Sequence, residues 1–363
     1  LISYLIFKNI LIYYIIKHKM SQYQYETFAQ NVYDNFSDNS LDKNWVNFEK
    51  LWNEERGNGI IKDYSYIDFV NINNTTDVKK KKCLVIKATG DNYSFDEPKG
   101  FKGKSSKRVG GGVKSKNLMG PGEYNMRVKF TPFDSVCNAI WLFNYLEIEN
   151  EDVRHPNNKE LCVDNDVDNA AILNPEIDFE LKDDNKCRCN TFRSTNGAFD
   201  ESIVDLKKHK LNLQDGKWHN LKYVWETDIV VLSDLIGREL NDDEIVIHKE
   251  HSYINNIKEK KYSNLNGLIV LKSIKKDNKY CLYYGKKVEI SVDNKILYKK
   301  ELKDVNIKNL LVNSIPCSLC YFYIALWFPK FMKNKPDFHH SIMAIDTFEY
   351  KYNENPFHRL NKD

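Results

Sequence analysis

The sequence predicts an all-β protein, and three observations carry that expectation. From Tyr23 onward, short runs of β-branched and aromatic residues are separated by clusters of Gly, Asn, Asp and Pro, the punctuation of strands and turns. No long stretch repeats its apolar residues with the period of an amphipathic helix, so helical crossovers are lacking and the strands must pair antiparallel. Finally, Pro175-Glu176-Ile177-Asp178-Phe179-Glu180-Leu181 alternates acidic with apolar side chains. In a strand successive side chains point to opposite faces. Glu176, Asp178 and Glu180 then share one face, and Ile177, Phe179 and Leu181 the other. A helix would scatter the three acids over roughly 400° of arc.

The chain has 363 residues, 42% of them hydrophobic and 13% aromatic, enough for a sizeable core. Strands over some 300 residues are best accommodated as two large antiparallel sheets packed face to face. No Pro/Gly/Ser linker and no repeat divides residues 21–363, so they read as a single domain.

Residues 1–20 stand apart. They are strongly apolar up to Ile16, interrupted by Lys8 and Asn9, and are followed by Lys17-His18-Lys19-Met20. The run is short for a membrane span and carries Lys8. It also lacks the basic start and small-residue cleavage site of a signal peptide. The expectation is translated sequence upstream of a start at Met20, left out of the fold. Location follows from that choice: secreted or anchored if residues 1–19 are real, otherwise intracellular.

Strands are expected at residues 84–88, 113–116, 122–130 and 138–143, with tight turns at 110–112 and 120–122. The acidic strand and residues 188–192 come next. Residues 218–225, 287–293, 320–328 and 341–350 complete the set. Two stretches look inserted. Residues 147–174 are polar, acidic and Asn-rich, and lead into the acidic strand as a candidate rim of a cleft. Residues 227–284 are long and partly Lys-rich, with 268–271 able to pair as a strand. Both read as surface elaboration.

Of eight cysteines, Cys187 and Cys189 follow the acidic strand, and Cys317 and Cys320 precede an apolar run. No His lies at ligand spacing beside either pair, and CxxC in a strand would put its thiols on opposite faces. They read as free core cysteines. The formal charge is only +3, and Lys-rich bits sit beside acidic ones, so there is no nucleic-acid footprint.

Three carboxylates on one face repel each other, and a sheet needing only a wet face would mix signs. The acidic row is either a solvated edge or an active site, and its flanks decide. From residue 36 to residue 352 the chain resembles glycoside hydrolase family 16. Glu176-Ile177-Asp178-Phe179-Glu180 fits the family's E-x-D-x-E signature in its unbulged form. Supporting matches follow in order. Ser115-Lys116 and Gly122 to Lys129 resemble "S-K … G-x-[FY]-x-x-R-x-K", and Ala139-Ile140-Trp141-Leu142 resembles "A-x-W-L". Trp218-His219 to Trp225 resembles "F-H-x-Y-x-x-x-W" with Leu221 for the aromatic. Val288 to Asp293 resembles "V-x-F-x-V-D-G" with Asn294 for Gly, and Met343 to Asp346 the closing "M-x-V-D-[YF]-V".

The resemblance implies a β-jelly-roll sandwich with a glycan cleft across a concave sheet. It also implies a retaining endo-β-glycanase acting on β-1,3- or mixed β-1,3/1,4-glucan. On it, Glu176 is the nucleophile, Glu180 the general acid/base, and Asp178 the carboxyl that biases which neighbour is protonated. The chemistry is plausible from the strand itself. A retaining enzyme needs its carboxyls about 5–5.5 Å apart. Residues i and i+4 of a strand lie roughly 13 Å apart at Cα, and two long Glu side chains on a curved strand can close that gap.

Trp141 and Trp327 are candidates for stacking on sugar rings, with core packing the rival for each. Asn190 resembles an Asn that contacts sugar hydroxyls in lichenase-like members, and His219 reads as a structural hydrogen-bonder. No cofactor is expected; the resemblance leaves room for a structural calcium ion without indicating its ligands. The expected partner is a polysaccharide, with the protein a monomer. A transglycosylase and a non-catalytic glycan-binding module are the rival functions.

Overall fold

In the computed structural model, the residues described are 31–41, 43–52, 58–74, 78–94, 107–144, 146–147, 171–173, 175–193, 198–248, 251–254, 257–262, 265, 269–273 and 279–353. The expectations for residues 1–20, and for most of 147–174, fall outside them.

The described residues form a sandwich of two large sheets, one of fourteen strands and one of seven, with a separate two-stranded pair, Leu146–Glu147 and Ala171–Leu173. The smaller sheet carries the acidic strand. Its members in chain order are β1 (Trp45–Asn47), β2 (Gly112–Ser115), β3 (Cys137–Phe143), β4 (Glu176–Lys182), β5 (Lys186–Arg193), β6 (Ala198–Asp205) and β7 (Tyr321–Trp327). Across the sheet they run β6-β5-β4-β3-β7-β2-β1, every pair antiparallel. The acidic strand is therefore an interior strand. The centre of the larger sheet is built by Gly122–Lys129, His219–Val231, Lys279–Val292, His340–Tyr352 and Lys80–Thr89.

Alternation produces the core. In Gly122–Lys129 buried and half-buried residues alternate along the whole strand, which sends Tyr124, Met126 and Val128 inward. They meet Ile140, Leu142, Ile177, Phe179, Leu181, Phe322 and Ile324 from the smaller sheet in one apolar cluster. Tyr124 stacks on Phe322 at 5.4 Å and on Tyr350 at 4.6 Å, and Trp45 meets Phe348 edge-on at 4.9 Å. Each such side chain contributes about 1.5–3 kcal/mol by leaving water. The polar tips find partners across the sandwich. Tyr223 Oη donates to the Ile140 carbonyl at 2.7 Å, and Trp225 Nε1 to the Pro316 carbonyl at 2.8 Å.

Three expectations are corrected. The glycines at 110–112 do not make a tight turn. Val109–Gly110 pairs in the larger sheet and Gly112–Ser115 in the smaller one, so the chain changes sheets at Gly111. These glycines allow close backbone approach: a Cβ on Gly110 would sit 1.7 Å from the Leu326 carbonyl oxygen. The Cys317/Cys320 pair lies ahead of its strand, which begins at Tyr321; Cys320 makes only an isolated bridge to Met119. The described part of 227–284 continues the larger sheet instead of looping over it. His219–Val231 and Lys279–Val292 run on past a bulge at Glu226/Thr227, and Ile269–Ser273, His251–Ile254 and Ile245–His248 add outward. They carry their own apolar cluster, including Leu232, Ile236, Ile254, Leu282 and Leu310.

Replacing Gly110 by Ala should destabilise the fold by about 1–3 kcal/mol or more, because the new methyl group meets backbone that cannot swing aside. Urea unfolding of Gly110→Ala checks this, and an unchanged midpoint would rule out the close approach.

Candidate active site

The register of the smaller sheet arranges its outer face in rows. One row runs Tyr323, Trp141, Asp178, Asn190, Glu201 across β7, β3, β4, β5 and β6. The row beside it places Ala325 and Ala139 on one side of Glu180, with Arg188 and Ile203 on the other. The opposite neighbour places Phe143 next to Glu176, with Phe192 and Phe199 beyond. The two alanines keep the floor low beside Glu180.

These rows floor a cleft of about 380 Å³, within the usual range for a ligand site. All six residues singled out in the sequence line it: Glu176, Asp178, Glu180, Trp141, Asn190 and Trp327. It is also lined by residues that sequence reasoning missed: Lys50, Arg188, Phe192, Phe199 and Phe331. Arg188 and Phe192 could have been found by pairing β5 against β4 from the turn at 183–185. Lys50 and Phe331 arrive from distant segments and leave no local signal.

Burial dominates the electrostatics. Asp178 is enclosed, and loss of water pushes its carboxyl well above the usual range, with the charges of Glu176 and Glu180 adding to the rise. A hydrogen bond from Asn190 opposes it. Burial also raises Glu176, against the hydrogen bond with Asp178 and the nearby charges of Lys50 and Arg188. Asp178 therefore holds the proton of this pair and donates it in a hydrogen bond to Glu176. Glu180 is pushed up to about 7, chiefly by burial, with Arg188 opposing and Glu176 adding. Burial thus raises all three carboxyls, and Glu180 stands between its acid and carboxylate forms near neutral pH. Among the described residues, Asp178 Oδ1 and Asn190 Oδ1 have no hydrogen-bond partner in the protein.

The aromatic walls are tightly built. Trp141 lies parallel to Tyr323 at 4.9 Å, with Phe48 edge-on to both. It is only 8% exposed, so it lines the cleft and packs within an aromatic cluster at once. Trp327 meets Phe331 edge-on at 6.1 Å, and the Lys182 ammonium lies 4.8 Å from the Phe331 ring centre. His219 is in the other sheet, where its ring nitrogens contact Asp293 at 2.7 Å and Asp215 at 3.1 Å. Among the described residues, no group of three or more His, Cys, Asp or Glu side chains is arranged to hold a metal ion. No described helix is long and apolar enough to cross a membrane.

No protein-family model matches the chain, and no curated protein matches it in sequence. Solved structures do match in shape. The laminarinase catalytic domain from Thermotoga maritima aligns with a TM-score of 0.51 at 13% identity, covering 91% of this chain and 100% of its own. A lichenase from a mouse hindgut metagenome gives 0.48 at 12% identity, covering 89% and 99%. A β-glucanase of Bacillus licheniformis gives 0.45 at 12%, covering 90% and 99%. The first of these carries the comparison, and it shows a shared fold: the jelly-roll sandwich that the sequence implied.

The raised Glu180 carboxyl has a consequence for stability. Its ordinary value is 4.5 and its folded value about 7. Between those values the folded state binds more protons than the unfolded one, so stability falls as pH rises through that window. The loss attributable to this group is on the order of 3 kcal/mol. Unfolding free energies at pH 5 and pH 8 should differ less in Glu180→Gln than in the parent protein. An equal fall in both would mean that Glu180 titrates like an ordinary surface acid.

Proposed function

We propose that the protein is a retaining endo-β-glycanase that cuts β-1,3- or mixed β-1,3/1,4-glucan through a covalent glycosyl-enzyme intermediate. One observation carries this reading. Two glutamates, four residues apart on an interior strand, face one cleft, Glu176 hydrogen-bonded to the aspartate between them and Glu180 beside Arg188 with its carboxyl raised to about 7. Glycoside cleavage needs that division of labour.

Glu176 attacks the anomeric carbon as the sugar–oxygen bond breaks. Glu180 gives its proton to the departing oxygen, then takes one from the water that releases the sugar from Glu176. Asp178 hydrogen-bonds Glu176 and disperses negative charge until the glycosyl ester forms. Asn190 holds Asp178 from the neighbouring strand. Trp141, Trp327 and the phenylalanines of the rim present apolar surface to the faces of pyranose rings. The shared fold with a laminarinase supports β-1,3-glucan as a first substrate to test.

Glu176→Gln and Glu180→Gln should each lower the rate of reducing-end release from laminarin and lichenan by at least 100-fold. Retained activity in either variant would remove its assigned role. Proton NMR of the first products should show the β-anomer before mutarotation, whereas an α-anomer would mean inversion. Activity against pH should be a bell whose upper limb lies near 7, where Glu180 loses its proton. A rate still climbing above pH 9 would contradict that assignment.

A further inference from the structure

We infer that Arg188, held by Glu201 of the outer strand β6, is a positioning residue that sets the alkaline limit of Glu180 in the reaction proposed above.

One guanidinium joins the two carboxylates. Arg188 is the cross-strand neighbour of Glu180, whereas Glu201 pairs one row away with Asn190. The Arg188 side chain leans diagonally along the cleft wall to reach it. Its Nε donates to Glu201 Oε2 at 2.9 Å, and Nη2 forms an ion pair with the same oxygen at 2.6 Å. The remaining nitrogen, Nη1, stands 3.7 Å from Glu180 Oε2. The ring of Phe331 lies 5.6 Å from the guanidinium carbon. Arg188 and Glu201 side chains are 27% and 30% exposed, and that of Glu180 is 10% exposed, so the Glu180 end of this network is the least screened by water.

The spacing matters chemically. A guanidinium that closed fully on Glu180 with a two-pronged hydrogen bond would keep that carboxyl ionised and useless as a proton donor. Glu201 takes the two best-placed donors and holds Arg188 back. Glu180 then feels a positive charge without a tight bond. Other charged or titratable groups act on Glu180 too. Glu176, Asp178 and Lys182 lie on its own strand, Glu201 on β6, Cys137 on β3 and Cys189 on β5. Arg188 is the largest opponent of burial among them, and Glu201 acts in the opposite sense to Arg188. Removing one partner should therefore move Glu180 one way, and removing the other should move it the other way.

The inference depends on the glycanase reading, so the test has two readouts. One is kcat/KM on laminarin against pH. The other is a carbon-13 NMR titration of the side-chain carboxyls without substrate, with the Glu180 signal identified by its loss in Glu180→Gln. Arg188→Gln should raise the upper limb and the Glu180 titration by about one pH unit. Arg188→Lys should restore most of the difference. Glu201→Gln should shift both readouts towards acid. A raised KM with an unmoved limb in Arg188→Gln would make Arg188 a substrate contact and overturn the inference. So would shifts of the same sign in Arg188→Gln and Glu201→Gln. Opposite titration shifts in a protein that cleaves no glucan would uphold the pair while discarding the glycanase. Cleavage of laminarin with an unmoved Glu180 signal would discard the pair alone.

Discussion

Enclosing the carboxyls of Asp178 and Glu180, with half-buried Glu176 beside them, on one face of an interior strand is the constraint on which the rest of the molecule depends. Such a row is unstable unless protons, hydrogen bonds and neighbouring cations divide its charge. Asp178 keeps a proton, Asn190 and Glu176 hydrogen-bond it, and Lys50 and Arg188 bring positive charge to the two ends. The strand can hold this row in place because its other face is anchored. Ile177, Phe179 and Leu181 are fully buried in the main core. A strand that was apolar on one face and merely wet on the other would have no reason to surround three acids with protein.

The two ends of the row differ. Glu176 sits between Phe143 and Phe192, near Lys50 and bonded to Asp178. Glu180 sits beside Ala139 and Arg188, with Arg188 engaged elsewhere. At the first, a hydrogen bond and two cations oppose the rise that burial imposes, and at the second the carboxyl is raised to about 7. On the proposed mechanism, this asymmetry would separate the nucleophile from the proton donor on a strand whose sequence is nearly symmetric about Asp178.

Much of this was legible in the sequence because the period-two pattern is local. Alternation in residues 176–181 put the acids on one face, the alternation of 122–130 marked a strand of the facing sheet, and the apolar run 138–143 marked a strand beside the acids. Trp141, Asn190 and Trp327 were legible as cleft residues only through the resemblance, since a strand aromatic or amide reads equally well as core. Ala198–Asp205 was missed because an edge strand with Phe199 and Ile203 in the open lacks a buried apolar face to betray it. Missing it hid Glu201, and with it the constraint on Arg188. Gly110 and Gly111 were misread as a turn because local sequence cannot distinguish a glycine that turns from one that lets two backbones touch. Lys50 and Phe331 reach the cleft only through tertiary folding.

The account stands most directly on the identity of the attacking carboxylate. Incubation with a 2-deoxy-2-fluoro-β-glucoside oligomer bearing a dinitrophenyl leaving group should trap a glycosyl ester, because fluorine slows its hydrolysis. Peptide mass mapping should then place the added sugar on Glu176. A sugar found on Glu180 or on any other residue would contradict the account.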